Sequence, residues 1–240
     1  MIRCITFDLD DTLWAVDPVI RQANQTLFDW LAQYAPAFTE LYQLSDLVSL
    51  RTAVLHQQPS IAHSVSLIRR AQLRHGLAQV GYGGAELERL AEQAFEVFLE
   101  ARQQVTFFAH ARDMLCQLKQ QGYQLGALSN GNADIQRVGL ADLMDFQFKA
   151  DEVGEMKPHP LMFETMLSHT RLRPEQVIHV GDHPQHDIEG ARQAGLWTIW
   201  VNLKALPADT AQADAQVGCL SEIPSTVAEL ALRSGQRLRL

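Results

Sequence analysis

The stretch IRCITFDLDDTLW, residues 2–14, decides the fold, because a short apolar run stops abruptly at a group of carboxylates. Ile2–Phe7 is apolar and β-branched, and its length is that of a buried strand. Asp8 and Asp10 follow at once, with Thr12 after them. In open α/β sheets, ligands bind beyond the carboxyl ends of the strands. The stretch therefore predicts a buried strand that ends at a candidate functional site.

Strand and helix patterns alternate through the second half of the chain. The predicted strands are 124–128, 145–150, 177–180 and 197–201, and the predicted helices are 111–121, 161–168, 188–194 and 225–234. Residues 207–216 are expected to form an exposed loop. Such alternation is typical of parallel βαβ units, so we expect a Rossmann-like parallel α/β sheet covered by helices.

The segment between the first strand and this α/β region has a different pattern. Apolar residues such as Leu27, Leu31 and Phe98 recur at helical spacing. The sequence therefore predicts an α/β core of residues 1–16 and 105–240, with an α-helical domain of residues 17–104 inserted. We expect the insertion to close over the site and to contact the substrate.

Composition excludes several functional classes. The chain has 240 residues and a net charge of -8, which disfavours binding to nucleic acid. No apolar run is long enough to cross a membrane, and the N-terminus does not resemble a signal peptide. Cys4, Cys116 and Cys219 have no paired spacing and are expected to be reduced. We expect a cytoplasmic monomer or homodimer without nucleic-acid or membrane partners.

Polar groups follow each predicted strand of the core. Ser129 and Asn130 follow the second strand, Lys157 lies in the next loop, and Asp182 and Asp187 follow the strand at 177–180. Together with Asp8 and Asp10, these carboxylates would repel one another unless a hard cation such as Mg²⁺ lay among them. Acidic ligands, a lysine and oxyanion donors together indicate phosphoryl transfer.

Each of these motifs alone has an ordinary structural explanation. Aspartates at strand ends are common turn formers, and both a Ser-Asn-Gly sequence and a Gly-Asp sequence occur in plain turns. The order of the motifs along an α/β pattern is what indicates a site.

The ordered set resembles the haloacid dehalogenase superfamily over the whole chain, including the helical insertion. The resemblance implies that Asp8 is a nucleophile forming an aspartyl-phosphate, and that Asp10 is the general acid and base. It also implies that Lys157 neutralises charge and that Ser129 and Asn130 bind the phosphoryl group.

The same resemblance implies a magnesium site. Its ligands would be Asp8, the backbone carbonyl of Asp10, and Asp182. Asp187 would bind the metal directly or through a water molecule, and Thr12 would help to hold the first loop.

Asp10 distinguishes activities within the superfamily, because dehalogenating members lack this second acid. A phosphatase acting on a small phosphorylated metabolite is therefore expected. A phosphomutase and a non-catalytic binding protein on the same fold remain the alternatives.

A finer resemblance concerns the substrate. The motifs FDLDDTLW, SNGNA and IHVGDH resemble those of bacterial phosphatases that act on flavin mononucleotide and on a phosphorylated ribitylamino-uracil precursor of riboflavin. Trp14, as a stacking surface, and His63 and Arg69, as polar contacts, are the candidate substrate residues. The ordinary alternatives are a core position for Trp14 and solvated surface positions for His63, Arg69 and Arg70.

Overall fold

A parallel sheet forms the centre of the α/β unit. The computed structural model describes residues 1–207 and 211–237, so residues 208–210 and 238–240 of the predicted core lie outside the described residues. Within the described residues, the strands of the sheet are β1 Cys4–Phe7, β2 Gln124–Ser129, β3 Phe146–Lys149, β4 Val177–Gly181, β5 Trp197–Val201 and β6 Ala215–Val217. Their order in the sheet is β3-β2-β1-β4-β5-β6, and all neighbours pair in parallel. The predicted parallel α/β class is confirmed.

Register at the centre of the sheet brings three strand ends together. β1 pairs with β2 on one side and with β4 on the other, and Phe7 lies opposite Ala127 and Val180. All four residues of β1 are buried, as expected for a strand covered on both faces. Because the strands are parallel and in register, the residues that follow Phe7, Ala127 and Val180 meet at one edge.

Helices complete the α/β unit. They are α6 Ala111–Gln120, α7 Ala150–Val153, α8 Leu161–Thr170, α9 Gly190–Gln193 and α10 Ile223–Arg237. One apolar cluster joins strand residues such as Leu128 and Val177 to Met162, Phe163 and Met166 of α8. The core therefore lies between the sheet and its helices.

Two predictions in the second half of the chain differ from the structure, one in where a helix begins and one in the extent of a loop. The helix predicted at 188–194 begins earlier, with a π-helical segment at Pro184–Glu189 that continues into α9. Part of the predicted loop 207–216 belongs to strand β6, which extends the sheet beside β5. β6 has three residues, too few to show an alternating pattern in the sequence.

The inserted segment forms a second compact unit. Contacts divide the chain into Met1–Ala15 with Thr106–Leu240, the core unit, and Val16–Val105, the helical unit. The helical unit consists of α1 Val16–Tyr34, α2 Pro36–Leu41, α3 Leu47–Gln57, α4 Val65–Gln79 and α5 Gly84–Arg102. Its core includes the buried residues Leu27, Leu31 and Phe95. Among the described residues, no helix is both long and apolar enough to span a membrane.

Gly126 in β2 provides a test of the sheet packing. A Cβ atom at this position would lie 2.1 Å from a ring carbon of Phe146, which is its partner in β3. Gly126→Ala should therefore lower the free energy of unfolding by about 2 kcal/mol. Gly218→Ala is the matched control, because no atom lies within 4 Å of its added Cβ. Urea unfolding should show a loss for Gly126→Ala that Phe146→Leu partly restores, and equal losses for both glycines would contradict this packing.

Candidate active site

A buried lysine lies at the centre of the site. Lys157 is 1% exposed. Its Nζ donates hydrogen bonds to Asp8 Oδ1 at 2.9 Å, to Asp187 Oδ1 at 2.7 Å and to the backbone carbonyl of Leu128 at 2.5 Å. An ammonium has three donors, so each one has an acceptor. Burial opposes the charge of Lys157, but the two carboxylates outweigh it and raise the lysine pKa.

Asp8 stands directly after β1, and its backbone N–H donates to the carbonyl of Val180 at 2.9 Å. Lys157 binds Oδ1, whereas Oδ2 lies 3.4 Å from the hydroxyl of Thr12, a long contact. Burial raises the pKa of Asp8 well above its usual range. Asp187 and Asp182 add to the rise, and Lys157 opposes it. The second oxygen of Asp8 is thus the less strongly held of the two.

Thr12 and Trp200 hold Asp182. The Thr12 hydroxyl accepts a hydrogen bond from the backbone N–H of Asp182 at 3.1 Å and lies 3.3 Å from Asp182 Oδ1. The indole N–H of Trp200 donates to the backbone carbonyl of Asp182 at 2.8 Å. Burial, with the nearby Asp187 and Asp11, raises the pKa of Asp182 to about 7. Hydrogen bonds therefore fix the backbone of Asp182, whereas its buried carboxylate is disfavoured in the charged form.

Asp187 is the carboxylate most fully bound by protein groups. Besides Lys157, it accepts a hydrogen bond from the backbone N–H of His183 at 2.9 Å. Burial opposes its charge, but Lys157 and then His179 outweigh burial, so the pKa of Asp187 is lowered. A Cβ atom on Gly181 would lie 2.4 Å from the Asp187 carboxyl carbon, so only glycine permits this approach.

Asn130 positions the backbone of Lys157. Its side-chain amide donates to the carbonyl of Lys157 at 2.9 Å and accepts from the backbone N–H of Lys157 at 2.7 Å. The amide oxygen and one of the two amide N–H groups of Asn130 are thus used to hold Lys157. Ser129 is fully buried, and its hydroxyl accepts a hydrogen bond from the N–H of Gly131 at 3.0 Å. The roles of Ser129 and Asn130 toward phosphate remain predictions.

Three of the predicted carboxylates form a group that could hold a metal ion. One oxygen each of Asp8, Asp182 and Asp187 lies within 4.8 Å of the others. Burial, together with the neighbouring carboxylates, raises the pKa values of Asp8 and Asp182, so a cation bound here would favour their charged forms. Clustered carboxylate oxygens are the donor set of a hard divalent cation, so these residues fit the predicted metal.

The side chain of Asp10 lies outside that group. Its Oδ1 accepts a hydrogen bond from the indole N–H of Trp14 at 2.8 Å. Trp14 is fully buried and meets the ring of Phe107 edge to face, with centroids 5.6 Å apart. The expectation that Trp14 offers a stacking surface to the substrate is therefore not supported, because the indole has no exposed face. The metal contact predicted for the Asp10 carbonyl remains a prediction.

Comparison with known proteins agrees with this geometry. The model of the haloacid dehalogenase-like hydrolases matches residues 2–195. The chain belongs to this family. The resemblance inferred from the motifs is thereby confirmed, and the protein is an enzyme of the hydrolase class.

Similar proteins within this family are named for different activities. One is the 5-amino-6-(5-phospho-D-ribitylamino)uracil phosphatase YigB of Escherichia coli, 30% identical over 83% of each chain. Another is a phosphoserine phosphatase of Thermus thermophilus, 37% identical over 92% of this chain and 98% of the relative. A solved structure described as a 2-haloacid dehalogenase from Pseudomonas syringae is 40% identical, with a TM-score of 0.90, covering 95% of this chain and 99% of that one.

Two predicted substrate residues lie in the helical unit of the hydrolase. His63 is partly buried, and its Nδ1 lies 3.0 Å from the carbonyl of Ser60. Arg69 is not on a solvated face, because its Nη1 is buried and its Nη2 donates to Asn24 Oδ1 at 2.9 Å. Neither geometry tests a contact with substrate.

Several supporting residues were missed by the sequence analysis. Asn130 was predicted for phosphate rather than for Lys157, and the roles of Trp200 and His179 were not predicted at all. His179 lies within β4, where its Nδ1 is 2.9 Å from the hydroxyl of Thr6 and its Nε2 is 3.5 Å from Asp187 Oδ1. A polar residue inside an otherwise apolar strand was the available signal for His179.

The pKa of Asp182 gives a stability prediction for the metal-free protein. Its folded pKa of about 7 exceeds the ordinary 3.8, so between these values the folded state binds a proton that the unfolded state does not. Stability from this group is present at low pH and is lost as the pH rises through about 7. Asp182→Asn should therefore raise the melting temperature in EDTA at about pH 8, and the gain should shrink toward about pH 5. Thermal denaturation at both pH values checks this.

Mg²⁺ provides the control for that measurement. It should stabilise the wild-type chain more than Asp182→Asn, because the variant has lost a metal ligand. A variant that is destabilised in EDTA at both pH values would contradict the charge argument.

Proposed function

We propose that the protein is a Mg²⁺-dependent phosphatase that hydrolyses a small phosphorylated metabolite through an aspartyl-phosphate on Asp8. The observation that carries this proposal is the Asp8 carboxylate, held by Lys157 through one oxygen, with a second carboxylate, Asp10, two residues further on. This arrangement supplies a nucleophile, a fixed positive charge and a separate proton donor. The phosphatase names of two relatives support the same reaction class.

In the proposed mechanism Asp8 Oδ2 attacks phosphorus, because Lys157 binds the other oxygen of that carboxylate. A bond forms between Asp8 and phosphorus while the bond to the leaving oxygen breaks. Asp10 gives its proton to that leaving oxygen and then removes a proton from the water that hydrolyses the aspartyl-phosphate. Lys157 offsets the negative charge that would otherwise repel a dianionic phosphate, and Ser129 binds the phosphoryl oxygens.

Mg²⁺ would be held by Asp8, Asp182 and the backbone carbonyl of Asp10, with Asp187 bound to it directly or through water. When bound, it would neutralise charge on the phosphoryl oxygens. The two bonds that Asp187 already makes, to Lys157 and to His183, favour a principal role as the anchor of Lys157.

Dehalogenation is the alternative that one comparison favours, because a similar solved structure is described as a 2-haloacid dehalogenase. A departing halide needs no proton, so dehalogenation does not require a second acid such as Asp10. Trp14 donates a hydrogen bond to Asp10, which fixes the direction of this acid. A proton donor held in this way supports ester hydrolysis. A phosphomutase would transfer the phosphoryl group back to substrate, and a non-catalytic binding protein would release no phosphate.

Two classes of compound are candidates for the group that the substrate carries beyond its phosphate. Flavin mononucleotide and the ribitylamino-uracil phosphate are supported by the motif resemblance, and the second of them also by the name of the E. coli relative. A phosphorylated amino acid is supported by the relative from Thermus thermophilus. The buried position of Trp14 removes one argument for a flat aromatic substrate. A kcat/KM series over flavin mononucleotide, phosphoserine, sugar phosphates and nucleotides distinguishes the two classes.

Phosphate release from p-nitrophenyl phosphate tests the reaction itself. Activity should require Mg²⁺ and should be abolished by EDTA. Asp8→Asn should lower kcat on the order of 1000-fold or more, because an amide is a poor nucleophile and a poor metal ligand. Full activity in EDTA, or chloride release from 2-chloropropionate without phosphate release from any ester, would overturn the proposal.

The role of Asp10 is tested by the leaving group. Asp10→Asn should nearly abolish hydrolysis of an alkyl phosphate yet affect p-nitrophenyl phosphate less, because p-nitrophenolate leaves with little proton assistance. Trp14→Phe retains the buried ring but removes the donor to Asp10, so it should show the same selectivity more weakly, by about tenfold. Phe107→Leu is the packing control, since it disturbs the ring contact of Trp14 but not its hydrogen bond. Equal losses on both substrates would contradict the assignment of Asp10 as proton donor.

A further inference from the structure

A histidine lies inside the central sheet, among apolar side chains. His179 is the middle residue of β4, and it is fully buried in a strand whose other residues are also buried. Its Nδ1 lies 2.9 Å from the hydroxyl of Thr6, a fully buried residue of the neighbouring strand β1. The ring of Phe163 on α8 meets the imidazole edge to face, with centroids 5.4 Å apart. These two neighbours fix the orientation of the imidazole.

The second ring nitrogen of His179 faces the candidate active site. This atom, Nε2, is buried and has no hydrogen-bond partner among the described residues. It lies 3.5 Å from Asp187 Oδ1, which is longer than an ordinary hydrogen bond. The same carboxylate oxygen accepts the hydrogen bond of Lys157 Nζ, and Lys157 also donates to Asp8. A series of buried polar groups thus connects His179 to the proposed nucleophile.

These contacts assign the proton of the imidazole. Burial outweighs the attraction of Asp187 and lowers the pKa of His179, so the neutral ring carries a single N–H. If that proton were on Nδ1, the lone pair of Nε2 would face an anionic carboxylate oxygen, which is electrostatically unfavourable. With the proton on Nε2, a hydrogen faces Asp187 and the Thr6 hydroxyl donates to Nδ1. The second arrangement is the favourable one at both nitrogens.

We propose that His179 is a positioning residue, whose Nε2–H restrains the carboxylate of Asp187 that holds Lys157 in the site. Asp187 Oδ1 accepts from Lys157, so the position of this oxygen decides where the ammonium lies. The partial positive charge of Nε2–H attracts the same oxygen and favours the ionised carboxylate. The backbone N–H of His183 binds the other oxygen, Oδ2. Together the two groups restrain both oxygens of Asp187 independently of the lysine.

This inference rests on the proposed phosphatase function, because its kinetic consequence is measured on phosphate release. Lys157 offsets the charge repulsion that opposes the attack of Asp8 on phosphorus. A displaced lysine should therefore slow the chemical step more than it weakens substrate binding. The proposal predicts a lower kcat with a nearly unchanged KM when the restraint from His179 is lost.

Two amide side chains in place of the imidazole separate the roles of its two nitrogens. In His179→Gln the amide nitrogen is far enough from the backbone to reach the position of Nε2, whereas in the shorter His179→Asn it reaches only the position of Nδ1. His179→Asn should lower kcat for p-nitrophenyl phosphate by about tenfold, the scale of one polar contact with a charged group, and His179→Gln should recover much of that loss. Phe163→Leu is the packing control, because it removes the ring beside His179 but neither contact of the two nitrogens, and it should leave kcat nearly unchanged.

The hydroxyl of Thr6 is tested by a second matched pair. Thr6→Ser keeps a hydroxyl that can donate to Nδ1, whereas Thr6→Val replaces the hydroxyl by a methyl group of similar size. Thr6→Val should therefore lower kcat and Thr6→Ser should not. Melting temperatures of all the variants show which of them are folded.

The tautomer of His179 is a readout that does not depend on activity. Proton–nitrogen correlation spectra of histidine-labelled protein show which ring nitrogen carries the hydrogen, and comparison with His179→Gln assigns the signal. The wild-type chain should show His179 protonated on Nε2.

The outcomes separate this inference from the proposed function. No phosphate release from any ester by the wild-type chain would overturn the proposed function, and the positioning role with it. Phosphate release together with a proton on Nδ1, or with equal kcat values in folded His179→Asn and His179→Gln, would overturn the role of His179 and leave the phosphatase proposal standing. If neither histidine variant folds, equal kcat values in Thr6→Val and Thr6→Ser would overturn it. A loss of kcat in His179→Asn that His179→Gln recovers, with KM nearly unchanged, would support it.

Discussion

The buried ammonium of Lys157 is the interaction on which the site depends. It lies between Asp8 and Asp187, and its third donor is bound by the carbonyl of Leu128 at the end of β2. Removing this one charge would leave two buried carboxylates without the cation that both of them bind through a hydrogen bond. Asn130 holds the lysine by its backbone and Asp187 holds it by its head group, so its position is fixed at both ends.

The sequence predicted the elements that form the site because each has a strong local signal. Asp8, Ser129 and Asp182 follow short apolar runs that predict buried strands, and the carboxyl ends of parallel strands meet at one edge of a sheet. The parallel α/β class followed from the alternation of strand and helix patterns. What the sequence analysis missed depends on partners that are distant in the chain. The short strand β6 is held by its pairing with β5, which no local pattern reveals.

Trp14 and Trp200 of the core unit are further examples of side chains whose roles the sequence alone does not show. Each was an apolar residue in the sequence, yet each uses its single N–H on an acidic residue: Trp14 on the Asp10 carboxylate and Trp200 on the Asp182 carbonyl. A buried indole needs a hydrogen-bond acceptor, and here the acceptors belong to the site. Arg69 is the opposite case: a solvated face was the ordinary alternative in the sequence, whereas the structure bonds its Nη2 to Asn24 and buries its Nη1 without a partner among the described residues. In both cases the hydrogen-bond partners of the side chain are known only from the folded structure.

The separation in sequence between Asp8 and Lys157 has a consequence for biosynthesis. Asp8 leaves the ribosome 149 residues before the lysine that neutralises it, and Asp187 follows 30 residues later. The central strand β1 likewise waits for both of its neighbours, β2 and β4, to be translated. The N-terminal carboxylates therefore stay in water during most of synthesis, and the sheet cannot close until its distant strands exist. Such long-range pairing makes folding slow, whereas the local contacts of the helical unit can form while the chain is still growing.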